Sequence, residues 1–185
     1  MTTQITEQNQ LIGKGLHDDF PAICIQDYET NKFVWFNVYE IFQNSNDLEE
    51  FQEHMNKARK LICRDEWFYP DCQYLHSIYS ENMSDETLFE YLESLDNAIS
   101  DGHSVSLHEE FIGAFGESYF GSLNKMYYGE FDSQKECAEN YVDEEINLDD
   151  VPDLISSNID YESLYHDLDF TEVEADRTTY YFRNY

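Results

Sequence analysis

Charge is the feature that most limits what this chain can fold into. Across 185 residues, forty Asp and Glu oppose ten Lys and Arg, a formal net charge of −30. Self-repulsion on that scale destabilises a compact state, and soluble domains ordinarily limit it by mixing signs on the surface. The imbalance is also uneven. No Lys or Arg lies between Arg64 and Lys125, where thirteen carboxylates fall, and none between Lys135 and Arg177, where fifteen fall. The first sixty-four residues carry ten acids and six bases, so the excess belongs to the last two-thirds. Adaptation to high salt would spread acid evenly, and this distribution argues against it.

Apolar content sets the opposite limit. Hydrophobic residues make up 41 % and aromatics 16 %, with fifteen Tyr and thirteen Phe. Disordered acidic tails are poor in aromatics, so the chain is expected to fold. Direct nucleic-acid binding needs a basic patch to neutralise phosphates, and Lys57, Arg59, Lys60 and Arg64 form only a short cluster set among acids. An anionic membrane surface would repel the chain. No apolar run approaches the roughly 20 residues of a membrane span, and MTTQITEQNQ does not read as a signal peptide. Neither nucleic acid nor membrane is therefore expected as a partner. Cys24, Cys63, Cys72 and Cys137 are widely spaced without a CxxC, which fits reduced, buried thiols in a cytoplasm.

The pattern of elements suggests an α+β fold, with a loosely ordered lead-in over 1–19. FPAICIQ and KFVWFNV, separated by DYETN, read as a hairpin. A helix capped at Asn46 or Asp47 follows to about Cys63, with Leu48, Phe51, Met55, Ala58 and Ile62 at three- and four-residue spacing. These close an N-terminal α/β domain over 20–66. A second helix, Ser84 to about Ser100, dominates a mainly helical central domain over 67–108. It buries Leu88, Tyr91 or Leu92, Leu95 and Ile99 and turns Glu86, Glu90, Glu93 and Asn97 outward. The C-terminal α+β domain, 109–185, holds the capping box SQKE opening a helix to about Glu145. The short helix IDYESLYHDL turns Ile159, Leu164 and Leu168 inward, and TTYYFRNY is a closing strand.

Enzymatic motifs are missing: the sequence has no HExxH, P-loop, GxSxG or GxGxxG, and no EF-hand spacing. Cys72 and His76 stand four apart, but two ligands do not make a metal site. No catalytic residue, metal or cofactor is expected. What remains is the charge. Carboxylates three or four apart on a helix stand roughly 5–6 Å apart along its axis, close to phosphate spacing. Duplex DNA carries one charge per roughly 1.7 Å, so thirty net charges match on the order of 50 Å of duplex. The carboxylates assigned to this phosphate-like surface are Glu86, Glu90, Glu93, Glu109, Glu110 and Glu117 in mid-chain. Asp143, Glu144, Glu145, Asp149, Asp150, Asp153, Asp169, Glu172 and Glu174 supply it in the last third. Composition leaves two readings open. One is a mimic occupying a DNA-binding enzyme, and the other is a chaperone-like binder of another basic protein.

The last third resembles the ArdA antirestriction proteins. VPDLISSNIDYESLYHDL is similar to their antirestriction motif, with Asp160, Tyr161, Glu162, Tyr165, Asp167 and Leu168 on matching positions. YYGEFDSQKECAENYV, PAICIQDYETNKFVWFNV and EWFYPD resemble further family segments. His166 stands where the family has Arg, and Ser163 where Ala is common. The resemblance implies an elongated chain of three small domains that dimerises through the motif, Tyr161 and Leu164 included. It also implies a target, the methyltransferase core of a type I restriction–modification enzyme. A CRISPR effector or nucleoid protein is the alternative target.

Overall fold

The computed structural model describes residues 20–63, 66–145 and 151–184. The fold is α+β, with every sheet contact antiparallel. Two compact units divide it, Met1–Gly121 and Ser122–Tyr185.

Unit 1 is built around β1 (Ala22–Asp27), whose run Ala22, Ile23, Cys24 and Ile25 is buried as befits a central strand. The expected hairpin forms: β1 pairs with β2 (Phe33–Asn37) from Ala22↔Asn37 to Gln26↔Phe33. Its turn is closed by the Asp27 carboxylate, which accepts the Glu29 and Thr30 N–H groups at 2.9 and 2.7 Å. The chain then runs through α1 (Val38–Gln43) and α2 (Leu48–Ile62), the latter capped by the Asp47 carboxylate on Glu50 N–H at 2.9 Å. β3 (Trp67–Gln73) returns to the other edge of β1, giving the order β2-β1-β3. Phe51, Met55 and Ala58 of α2 are buried. So is Arg59, whose guanidinium pairs with Asp85, donates to the Tyr69 hydroxyl at 2.6 Å and lies 4.2 Å over the Trp67 ring. Next come α3 (Asp85–Ser100), capped by Ser84, and α4 (Val105–Phe115), capped by Ser104. Gly116 ends α4 at φ 89°, a conformation costly for any residue with a Cβ. A 3₁₀ turn at Glu117–Tyr119 follows.

Two of the boundaries expected from sequence do not coincide with breaks in this packing. The one after residue 66 would cut β3 from the sheet it completes, and the one after 108 would cut α4 in its middle. EWFYPD is thus not the end of a module but leads into the third strand of unit 1.

Unit 2 has the sheet order β4-β6-β5, from β4 (Tyr127–Glu130), β5 (Phe170–Ala175) and β6 (Thr178–Arg183). β5 and β6 are joined by Asp176 and Arg177, both at positive φ (52° and 70°), the twist a two-residue hairpin requires. α5 (Leu123–Met126) leads into β4, and α6 (Gln134–Glu145), α7 (Asp153–Ser156) and α8 (Tyr161–Asp167) complete the unit. Cys137 and Ala138 of α6 meet Tyr165 of α8 and Tyr181 of β6 in its core. Ser133 caps α6 on Glu136 N–H, while the Glu136 carboxylate reaches back to Asp132 N–H at 2.8 Å, one residue beyond the expected box.

Candidate binding surface

The Ser84 cap sets the phase of α3. Its inward face is Leu88, Tyr91, Leu92, Leu95 and Ala98, all buried, with Ile99 half-exposed. The opposite face carries Glu86, Glu90 and Glu93, all exposed as the spacing predicts. None of these carboxylates, nor Glu110 or Glu117, meets a hydrogen-bond or ion-pair partner among the described residues. Asp96 is different: it accepts the Tyr39 hydroxyl at 2.7 Å and the Gln43 amide. Beside the row runs a cleft of about 320 Å³ lined by Glu90, Glu93, Ser94, Asn97, Glu117, Phe120 and Gly121.

Glu109 must be withdrawn from the exposed set. It is 8 % exposed, and its carboxylate accepts Ser77 N–H at 2.8 Å, the Ser77 hydroxyl at 3.0 Å and the Tyr91 hydroxyl at 2.5 Å. Its side chain ties α4 to α3 and to the turn after β3. Beside it, fully buried His108 places Nε2 2.9 Å from Ser94 Oγ, which also accepts Gly121 N–H at 2.8 Å. His108 Nδ1 has no partner among the described residues. An unpaired acceptor costs less than an unpaired donor, so the ring proton belongs on Nε2. Burial pushes this imidazole down to about 3, leaving it neutral at ordinary pH.

In unit 2 the acids are more engaged. Arg183 pairs with Glu145 at 3.0 Å and Glu144 at 3.8 Å, and its guanidinium lies 4.3 Å over the Tyr128 ring. Glu172 accepts from Gln134 at 2.7 Å and from the Tyr165 hydroxyl at 2.7 Å; Asp169 accepts from Asn184 at 2.8 Å. Asp143 and Glu174 are exposed. Asp149 and Asp150 lie outside the described residues, as does the side chain of Asp153. A cleft of about 420 Å³ is of mixed sign, with Arg177 beside Glu130, Asp132 and Glu136.

The motif residues divide between structure and surface. Asp160 caps α8, and the Ser163 N–H and hydroxyl hold its carboxyl below the usual range. Tyr165 is buried, and Tyr161 and Leu168 pack against the same core. Burial, then the Glu172 hydrogen bond, raises the Tyr165 phenol. Ile159 and Leu164, expected inward, are half-exposed, and Glu162 and Asp167 face solvent. Sequence reasoning overlooked Leu154 and Ile155 within the same segment, which are 79 % and 59 % exposed.

All four cysteines are free and buried; burial pushes Cys24 up to about 11 and Cys72 and Cys137 to about 12. Cys72 Sγ lies 3.4 Å from His76 Nδ1, yet among the described residues no group of three or more metal-ligating side chains assembles. Among the same residues, no helix is long and apolar enough to cross a membrane. No family model matches this chain, and neither a curated protein nor a solved structure does.

Proposed function

We propose that this chain is a DNA mimic that occupies the DNA-binding site of a type I restriction–modification enzyme, as its resemblance to the ArdA antirestriction family implies. The observation that carries the reading is the α3 face. Three exposed carboxylates stand there in one row, with no internal partner among the described residues, in a stretch of sequence without Lys or Arg. A helix fixes their spacing, so they meet an external cationic cleft already arranged. Such a surface inhibits stoichiometrically, needs no metal, and associates fast and in a salt-dependent way.

Dimerisation belongs to the same proposal. Tyr161, Tyr165 and Leu168 serve their own unit's core, so the apolar surface left in the motif for a second copy is Leu164 with Leu154 and Ile155.

The decisive measurement is an inhibition constant against a type I methyltransferase core at two salt concentrations, with duplex DNA as competitor and light scattering for stoichiometry. Neutralising Glu86, Glu90 and Glu93 together is expected to weaken inhibition progressively, at about 1 kcal/mol or less per charge. Inhibition should also fall steeply with salt, as counterion-dominated association does. If the triple variant inhibits as well as the parent, or DNA fails to compete, the mimic reading is wrong. Enrichment of nucleoid proteins or a CRISPR effector from host lysate, in place of restriction subunits, would redirect it to that target.

A further inference from the structure

The outer strands of the two sheets are β2, β3, β4 and β5. An outer strand invites pairing with another chain unless something blunts it, and β3, β4 and β5 are each blunted. β3 contains Pro70, and its Tyr69 N–H is taken by Glu81 O at 3.3 Å. β4 is short, with a register shift between Tyr127 and Gly129. On β5 the outward positions are acidic. Asn184 N–H bonds to Asp169 O, so by alternation Thr171 and Val173 bond to β6, and Glu172 and Glu174 face the open edge.

β2 has none of these devices. Asp27 N–H bonds to Lys32 O at 2.9 Å and Val38 N–H to Pro21 O at 3.1 Å, so Val34 and Phe36 bond inward to β1. The N–H and C=O groups of Phe33 and Trp35 therefore point to the outer edge, where no described strand pairs with them. Their side chains share one face of the sheet; Phe33 is 61 % exposed and Trp35 half-exposed. No carboxylate falls between Glu29 and Glu40, in a chain of net charge −30.

We infer that the outer edge of β2 is a contact for a second copy of this chain, the two β2 strands pairing antiparallel about a two-fold axis at Val34. In that register Phe33 exchanges both backbone bonds with Trp35 of the second copy, and the two side chains meet as a cross-strand aromatic pair. Charge selects the occupant. A basic partner gains more at the carboxylates than at an acid-free strand, and an acidic partner is repelled by the rest of the chain. What fits is an extended, aromatic, acid-free segment, and β2 is itself one, so a two-fold makes the surface self-complementary. The inference does not rest on the mimic reading, and the contact is separate from the one proposed at Leu154, Ile155 and Leu164.

The test uses the full-length chain carrying Leu164→Asp, which removes the motif contact, in analytical ultracentrifugation and amide-resolved hydrogen exchange. This chain is expected to dimerise at high micromolar concentration, and more so as salt rises, because salt screens repulsion between acidic copies. As concentration rises, exchange at the Phe33 and Trp35 amides should slow about five-fold or more, while Val34 and Phe36, already bonded to β1, change little. Phe33→Lys lowers the net charge yet puts a cation on the edge, a device that blocks strand pairing. It should weaken dimerisation roughly ten-fold, as loss of an aromatic anchor does. Tyr28→Lys makes the same charge change at an equally exposed residue of the turn before β2, and should leave dimerisation within about two-fold. A Leu164→Asp chain that stays monomeric at high salt overturns the inference and leaves the mimic standing. So does a dimer whose Phe33 and Trp35 amides exchange as in the monomer, or equal losses from Phe33→Lys and Tyr28→Lys. Should Phe33→Lys fail to fold, the exchange measurement decides alone.

Discussion

In unit 1 Glu86, Glu90, Glu93, Glu110 and Glu117 stand without internal partners among the described residues, whereas many acids of unit 2 are spent inside the unit. Glu144 and Glu145 share Arg183, Glu172 receives a phenol and an amide, and Asp160 caps a helix. The arginines differ too. Arg59 of unit 1 lies in the interior, paired with Asp85, but Arg183 and Arg177 of unit 2 lie among surface acids. Net charge therefore says little about which acids are available. A carboxylate already hydrogen-bonded gives a partner less than one held unengaged on a helix, and by that measure unit 1 is the better candidate for a phosphate-like face.

The largest effect that could break this contrast concerns the two arginines. Arg59 and Asp85 side chains are 8 % and 13 % exposed, so Arg59→Met strands a buried carboxylate and should cost about 3–5 kcal/mol. Arg183 is 29 % exposed and its partners 54 % and 47 %, so Arg183→Met should cost about 1–2 kcal/mol, the lost cation–π contact included. Both tryptophans, Trp35 and Trp67, lie in unit 1, so their fluorescence in a urea titration follows that unit. Hydrogen exchange at β5 and β6 amides follows the other. Similar losses from the two variants would erase the distinction between an interior and a surface cation.

A smaller effect concerns pH. A histidine ordinarily titrates near 6.5, and burial lowers His108 to about 3. With the folded value below the unfolded one, the unfolded chain takes the proton first as pH falls. The stability tied to neutral His108 is complete above about pH 6.5 and is lost progressively as pH drops toward 3. By pH 4.5 the loss reaches on the order of 2–3 kcal/mol. Protonation of surface carboxylates acts in the opposite direction, but equally in wild type and His108→Gln. The tryptophan-monitored difference between the two between pH 7 and 4.5 isolates the histidine. No difference would mean that His108 takes up its proton without disturbing the fold.

Much of unit 1 was legible because its signals are local. Asp47 and Ser84 cap the helices they were expected to open, and the turn chemistry of DYETN places the hairpin. EWFYPD resembles a family strand, but its pairing with β1 was not legible, because strand pairing across some forty residues leaves no periodic trace in a segment containing Pro70. Glu109 was misplaced by reading it as one more acid. On α4 it lies four residues after Val105 and three before Ile112, both buried, so helical periodicity already put it inward. Conversely, of the residues expected inward around α8, Leu168 packs against the core but Ile159 and Leu164 are half-exposed. The buried residue is Tyr165, whose hydroxyl finds Glu172 in β5, a strand the sequence reading did not assign. The cleft at Ser94 depends on a contact across 27 residues and had no local signal at all.

The smallest predicted effect is the most discriminating, because it changes sign between the units. Glu90 follows Glu86 by four residues and precedes Glu93 by three, so its charge meets like charges on the same helix face in both directions. Each such pair destabilises a helix by about 0.2–0.5 kcal/mol. Glu90→Gln keeps shape and helix propensity, removes both repulsions, and should stabilise unit 1 by roughly 0.4–1 kcal/mol. Glu172→Gln is the same chemical change at an exposed site in unit 2. There the carboxylate oxygen receives a phenol and an amide at 2.7 Å each, and hydrogen bonds to a charged acceptor are the stronger kind. Replacing the charge with a neutral amide should therefore cost roughly 0.5–1 kcal/mol. Tryptophan fluorescence reads the first variant and β-strand hydrogen exchange the second. Raising salt should shrink the Glu90→Gln gain, since screening already relieves exposed repulsion, and should change the Glu172→Gln loss less. If both variants shift stability in the same direction, the acids of the two units are not used differently, and the case for a dedicated acidic face on α3 loses its structural basis.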